Sequence, residues 1–175
     1  MGLSDGNREL ASDSGPAHTQ ASFLEDEAEL RRLVYAYARM VDHRDWSLLP
    51  RIFAAAARLR GPGYAMQGHD ELRAGLATID RFSATMHLVM NQIVELEGDR
   101  ATGEVYCLAN HLLEERGRPV KLDMGIRYED RYERTPQGWR IAERVLHLVW
   151  QQQLPLGSGG GLEDERDERE EGERT

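Results

Sequence analysis

The sequence predicts an α+β fold, in which about three N-terminal helices precede a long antiparallel meander. Apolar residues recur every three or four positions as far as about residue 79, which is typical of amphipathic helices. From Ser83 onward the apolar period changes to two, which indicates strands. Helices that close one face of a curved sheet would leave a pocket between the two layers.

Three helices are predicted from this pattern. Ser22 and Glu25 have the Ser-x-x-Glu spacing of a capping box, directly before an apolar stripe of helical period. Asp45 is a good N-cap for a short second helix. The predicted helices therefore span about residues 23–42, a short segment that begins at Asp45, and about residues 69–79.

Four strands follow, and each boundary carries turn residues such as Gly98-Asp99. The predicted strands span residues 84–97, 100–115, 121–134 and 139–151. Residues 54–67 stay ambiguous, because an alanine run that suits a helix leads into a Gly-Pro-Gly break. A short strand also fits near residues 57–59 or 64–66.

Both ends of the chain differ from the middle. Residues 1–21 are polar and have no apolar period. Residues 163–175 contain eight acidic and three basic residues, a net charge of −5 out of −9 for the whole chain of 175 residues. The acidity therefore says little about a substrate. We expect disordered tails at residues 1–21 and 155–175 and one folded domain at residues 22–154.

The composition argues against several classes of protein. No run of 18 apolar residues exists, so no membrane span is predicted. No basic patch is present, so nucleic acid is not an expected partner. The single cysteine, Cys107, excludes an internal disulfide. Since the sequence also shows no signal-peptide pattern, a cytoplasmic location is expected.

Alternation within the strands separates inward from outward side chains. The small apolar set around Cys107 and Ala109 should face inward, which places His111 on a buried face. The same alternation gives three further sets, each of which shares one face of its strand. They are His87, Val89, Asn91 and Ile93; Met124, Ile126, Tyr128, Asp130 and Tyr132; and Trp139, Ile141, Glu143, Val145, His147 and Val149. An apolar outer face predicts a homodimer or higher homo-oligomer. Its residues are Met86, Leu88, Met90, Leu146, Leu148 and Trp150.

The segment YAYARMVDHRDW, residues 35–46, ends the first helix with Asp42. A carboxylate at a helix C-terminus faces the negative end of the helix dipole, so another group is expected to hold it there. The alternative is that Asp42 only caps the turn into Trp46.

Histidines on buried strands are natural general acids or bases near neutral pH. His87 and His111 are the candidates, although each could equally be a satisfied core histidine. Two histidines and an aspartate can also form a metal-binding facial triad. No H-x-x-x-H pair is present to support a metal site, so none is predicted.

The motifs together resemble the SnoaL-like branch of the nuclear-transport-factor-2-like superfamily. They are Y-x-x-x-x-D-x-x-D-W, T-M-H, A-N-H and G-W-R-I. The resemblance implies a cone-shaped α+β roll, in which helices close a strongly curved antiparallel sheet. Within this branch, the segment VDHRDW and the histidines His87 and His111 are similar to those of the scytalone and bile-acid dehydratases. It implies catalytic roles for Asp42, His87, His111 and Tyr37, with Tyr35, Asn91 and Tyr128 as substrate-binding candidates.

The function implied by the resemblance is that of a cofactor-independent dehydratase. Such a lyase would act by general acid–base catalysis on a hydrophobic cyclic substrate of the steroid, polyketide or terpenoid type. Two alternatives stay open. One is a ketosteroid-type isomerase or polyketide cyclase that uses Asp42 as the base. The other is a non-catalytic module that binds small ligands or supports assembly, because fold alone does not decide function.

Overall fold

The computed structural model describes residues 20–157, which form one six-stranded sheet with three helices on one side. The predicted tails lie almost wholly outside the described residues. The elements are α1 (Gln20–His43), α2 (Leu49–Ile52), β1 (Phe53–Gly61), β2 (Tyr64–Gln67), α3 (Gly68–Leu76), β3 (Ala84–Glu97), β4 (Arg100–Glu115), β5 (Arg118–Thr135) and β6 (Gly138–Pro155), with 3-10 turns at Trp46–Leu48 and Ala77–Arg81.

The strand order in the sheet is β2-β1-β6-β5-β4-β3. Strands β3 to β6 form the predicted antiparallel meander. The ambiguous segment is a hairpin of β1 and β2, and β1 joins the sheet parallel to β6. The predicted α+β fold is confirmed.

The helix boundaries differ in three places from those expected. α1 begins at Gln20, so Ser22 and Glu25 lie within the helix and the predicted capping box is wrong. The Asp45 side chain does not cap the segment that follows it. The third helix ends at Leu76 and continues as a 3-10 turn.

A register shift between β5 and β6 reverses the face of several β6 side chains. The shift lies between Arg131 and Tyr132, where β6 carries one extra residue. As a result Arg144, and not the expected Glu143, faces the helices beside Ile141. Leu146 also faces inward and packs against the core, so its predicted place on the outer face is wrong.

Arg144 forms a buried ion pair with Asp130 of β5. Its Nε and Nη2 donate to the two carboxylate oxygens at 2.7 and 2.6 Å. The guanidinium carbon lies 4.3 Å from the ring centroids of both Tyr37 and Tyr128. Burial alone would lower the pKa of Arg144, but the Asp130 carboxylate raises it above its ordinary value, so the group stays charged.

α1 lies across the inner face of the sheet and is fixed near both ends. Near its N-terminus, the buried Asp26 accepts hydrogen bonds from the Trp139 indole at 2.9 Å and from Arg134 at 2.5 Å. Near its C-terminus, Asp42 bonds to β3. The helix therefore carries its last turn to a defined place on the sheet.

No helix within residues 20–157 combines the length and the apolar character needed to cross a membrane. Cys107 is a buried free thiol. The cytoplasmic location stays a prediction.

The ion pair between Arg144 and Asp130 predicts a large difference between two matched substitutions. Asp130→Asn would leave the Arg144 cation buried with a weaker partner, and should lower the free energy of unfolding by about 3–5 kcal/mol. Glu143→Gln weakens the more exposed pair with Arg60 and should cost about 0–1 kcal/mol. Urea unfolding of both variants checks this, and equal losses would contradict it.

Candidate active site

The end of α1 is shaped by Arg44, which adopts a left-handed backbone with φ of +55°. This conformation ends the helix and turns the chain away from its axis. The Arg44 guanidinium donates to the backbone oxygen of Asp42 at 2.7 Å, to Thr85 Oγ1 at 3.1 Å and to the Phe82 carbonyl at 3.1 Å. It therefore ties the last turn of α1 to the start of β3.

The Asp42 carboxylate accepts three hydrogen bonds from β3. Oδ1 accepts from Thr85 Oγ1 at 2.9 Å and lies 2.7 Å from His87 Nδ1, while Oδ2 accepts from the His87 backbone N–H at 2.9 Å. These contacts provide the external partner that the helix dipole led us to expect. The carboxylate is used by β3 and not by the turn into Trp46.

The ionisation of Asp42 fixes the tautomer of His87. Burial alone would raise the pKa of the Asp42 carboxyl, but the hydrogen bonds from His87 and Thr85 hold it below the ordinary value. An ionised carboxylate can only accept, so the His87 Nδ1 carries the proton that points at Asp42. In the neutral ring Nε2 is then a free acceptor.

His87 and His111 line a cavity of about 350 Å³ between the sheet and the helices. Tyr37 and Tyr128 line the same cavity, whereas Asp42 lies behind His87 and does not. The remaining wall is mainly apolar and comes from Val41, Tyr64, Met66, Gly75, Leu76, Thr78, Ile79, Arg81, Phe82, Met124, Ile126 and Leu146. A volume of this size suits a small cyclic ligand.

His111 stands beside His87 with its ring edge-on, at 5.7 Å between ring centroids. Its other neighbour is Phe82, whose ring centroid is 4.6 Å away. Burial, the nearby His87 and the Arg81 cation lower the pKa of His111 to about 4. His111 is therefore a neutral ring near pH 7, able to donate one N–H but poorly suited to hold a proton.

The two tyrosines of the cavity stay protonated. Burial raises the pKa of Tyr37 above its ordinary value, although Arg144 opposes the shift. Burial, together with Tyr37, raises the pKa of Tyr128 well above the ordinary value. Both phenols are therefore hydroxyl donors at neutral pH.

Two of the seven predicted site residues, Tyr35 and Asn91, neither line the cavity nor contact the histidines. Tyr35 is 50 % exposed, because residues two apart on a helix point to opposite sides. Asn91 is exposed because the register of β3 shifts between Val89 and Gln92, which turns Gln92 inward. Tyr37, His87, His111 and Tyr128 line the cavity, and Asp42 contacts His87. Their catalytic and binding roles stay predictions.

Three residues around the site were not identified from the sequence. Thr85 and Arg44 hold Asp42 in place. Each stands two residues from a predicted site residue, Thr85 from His87 and Arg44 from Asp42, which was a usable signal. Arg144 was missed because strict alternation placed it on the outer face of β6. Within residues 20–157, no group of three His, Cys, Asp or Glu side chains is arranged to hold a metal ion.

The sequence profile of the SnoaL-like domain matches residues 22–145. The chain belongs to the SnoaL-like family. The fold is accordingly the cone-shaped α+β roll of the nuclear-transport-factor-2-like superfamily, as the resemblance implied. This SnoaL-like chain is 28 % identical over 134 residues to an uncharacterized protein of Mycobacterium tuberculosis, covering 75 % of this chain and 90 % of that protein.

Two solved structures share the SnoaL-like fold at 19 % sequence identity and a TM-score of 0.69. One is a candidate scytalone dehydratase from Novosphingobium aromaticivorans, which matches over 77 % of this chain and 91 % of its own. The other is a hexachlorocyclohexane dehydrochlorinase from Novosphingobium barchaimii, which matches over 81 % of this chain and 97 % of its own.

The buried, neutral His111 predicts a specific pH dependence of stability. An unfolded histidine titrates near 6.5, whereas the pKa of His111 in the folded protein is about 4. Between these values only the unfolded chain binds this proton, so stability falls as the pH drops from 6.5 towards 4. One proton gives a slope of up to about 1.4 kcal/mol per pH unit.

Urea unfolding at pH 7, 6 and 5 measures this slope. His111→Asn should flatten the slope, and His43→Asn, at an exposed position, should leave it unchanged. Asp42 also makes the protein less stable in acid, because its pKa is lower in the folded protein than in the unfolded chain. That loss of stability begins only below the ordinary pKa of 3.8, outside the range of this experiment. An unchanged slope in His111→Asn would contradict the assignment.

Proposed function

We propose that the protein is a cofactor-independent dehydratase that removes water beside a carbonyl of a hydrophobic cyclic substrate. The pair of Asp42 and His87 at the wall of an apolar cavity carries this proposal. Two proteins of the same fold support it by their names, since one is a candidate scytalone dehydratase and the other a hexachlorocyclohexane dehydrochlorinase.

The reaction starts with His87 as the general base. Nε2 takes the proton from the carbon next to the substrate carbonyl, and the C–H electrons form an enolate. Asp42 stabilises the imidazolium that results, as in other histidine–carboxylate pairs. The enolate then expels the β-hydroxyl group as the C–O bond breaks. The leaving oxygen takes the proton from His87, so water departs and the ring returns to its neutral form.

Neutral donors stabilise the charge that develops on oxygen. The Tyr37 hydroxyl donates to the enolate oxygen, and Tyr128 is a second phenol on the same wall. The N–H of His111 donates to the leaving oxygen. No cofactor is required in this scheme, because the proton acceptor and all donors are side chains.

The geometry favours this scheme over the isomerase or cyclase in which Asp42 is the base. Asp42 already accepts three hydrogen bonds and lies outside the cavity lining. A purely ligand-binding module is disfavoured by the 2.7 Å contact of Asp42 with His87 and by the 5.7 Å separation of the histidine rings at an open cavity.

Deuterium exchange tests the proton abstraction without knowledge of the natural substrate. The probe is 2-tetralone, a bicyclic ketone, in D₂O with NMR detection of its α-protons. The wild-type protein should accelerate exchange, and His87→Gln and Asp42→Asn should each lower the rate by about 10²–10⁴. The double variant should be little worse than either, because the two groups act as a unit.

Asp45→Asn is the matched control, since Asp45 is an exposed aspartate of the same segment. It should exchange like the wild-type protein. Exchange that survives His87→Gln would contradict the proposed base. Screening β-hydroxy cyclic ketones for the appearance of enone absorbance then separates dehydration from isomerisation.

We also propose that the outer sheet face (Met86, Leu88, Met90 and Trp150) pairs with a second copy of the chain. The three β3 residues are 41–56 % exposed and Trp150 is 46 % exposed. Trp150 lies over Gly125, where a side-chain carbon would come within 2.3 Å of the indole. Such an exposed apolar surface is typical of an interface.

Light scattering after gel filtration tests the dimer. The wild-type protein should run at twice the mass of one chain, and Leu88→Asp should shift it to a monomer. Leu24→Asp, at an exposed position on α1, should remain a dimer. A monomeric wild-type protein would overturn the proposal.

A further inference from the structure

The cavity mouth carries one feature that the proposed elimination does not use. Among the described residues that line the cavity there is no carboxylate, and the single guanidinium is that of Arg81. Arg81 is exposed, and no carboxylate in residues 20–157 lies within ion-pair distance of it. The neighbouring Asp80 carboxylate lies 3.7 Å from Arg44 instead.

The backbone on both sides of Arg81 is held in place. Arg44 donates to the carbonyls of Ile79 at 3.5 Å and Phe82 at 3.1 Å. The Phe82 N–H donates to the Ile79 carbonyl at 3.0 Å, and the Ser83 N–H donates to Leu112 of β4 at 2.8 Å. The cation is therefore presented from a fixed segment.

The Arg81 side chain is also directed by an aromatic contact. Its guanidinium carbon lies 4.6 Å from the centroid of the Phe82 ring, and that ring contacts His111 on the cavity wall. A single ring thus separates the cation from the reacting end of the cavity. A ring system bound beside His111 would bring a substituent on its outer edge to Arg81.

We propose that Arg81 binds a carboxylate carried by the substrate at the cavity mouth, so that the substrate class is a hydrophobic cyclic keto acid. This inference rests on the proposed function. The guanidinium fork matches a carboxylate in two parallel hydrogen bonds, which a neutral substrate does not offer. The apolar ring enters the cavity, and the charged group stays at the solvent edge.

Two ketones of the same size test the proposal by titration calorimetry. They are 2-tetralone and 2-tetralone with a carboxylate on its aromatic ring. The wild-type protein should bind the carboxylate about fivefold more tightly, the limit for a partly exposed ion pair. The preference should weaken in high salt. It should disappear in Arg81→Gln and persist in Arg73→Gln, an exposed arginine of α3 that does not line the cavity.

Equal affinities in the wild-type protein, a preference retained in Arg81→Gln, or no binding of the carboxylate would each overturn the Arg81 site. The proposed function is tested separately, by measuring α-proton exchange of neutral 2-tetralone in the presence of the wild-type protein. A carboxylate preference without exchange would therefore refute the dehydratase chemistry and leave the Arg81 site standing.

Discussion

The hydrogen bonds that Asp42 accepts from β3 are the constraint on which the rest of the site depends. A carboxylate at the C-terminus of α1 opposes the helix dipole and is partly removed from water, so it needs strong donors. Thr85 and His87 supply these donors through two side chains and one backbone N–H. The same contacts dock the helix on the sheet and orient the His87 ring. The interactions that stabilise the fold here therefore also arrange the site.

A second buried charge system contacts the two tyrosines of the cavity. The pair of Arg144 and Asp130 supports the rings of Tyr37 and Tyr128 from behind, much as Asp42 supports His87. His87, Tyr37 and Tyr128 therefore each contact a charged residue that does not itself line the cavity. Such supports keep donors and acceptors fixed before a ligand arrives, which is how proteins stabilise developing charge at low reorganisation cost.

The sequence was informative where a regular period or a motif applied. The change from period 3.6 to period 2 located the meander, and the alternation on β4 correctly turned His111 inward. It failed at the register shifts, because a single extra residue reverses the faces beyond it without any change in composition. Asn91, Leu146 and Arg144 were misplaced for this reason. Tyr35 was a different error, since helical geometry already separates it from Tyr37.

The tautomer of His87 is the sharpest test of the Asp42–His87 pair, because the proposed base depends on the proton that Asp42 holds on Nδ1. Nitrogen-15 NMR of the neutral ring distinguishes the two tautomers in the wild-type protein and in Asp42→Asn. We expect a protonated Nδ1 and a bare Nε2 in the wild-type protein, and a mixture of tautomers in the variant. A wild-type ring protonated on Nε2 would contradict it, since that nitrogen could not accept a proton from a substrate.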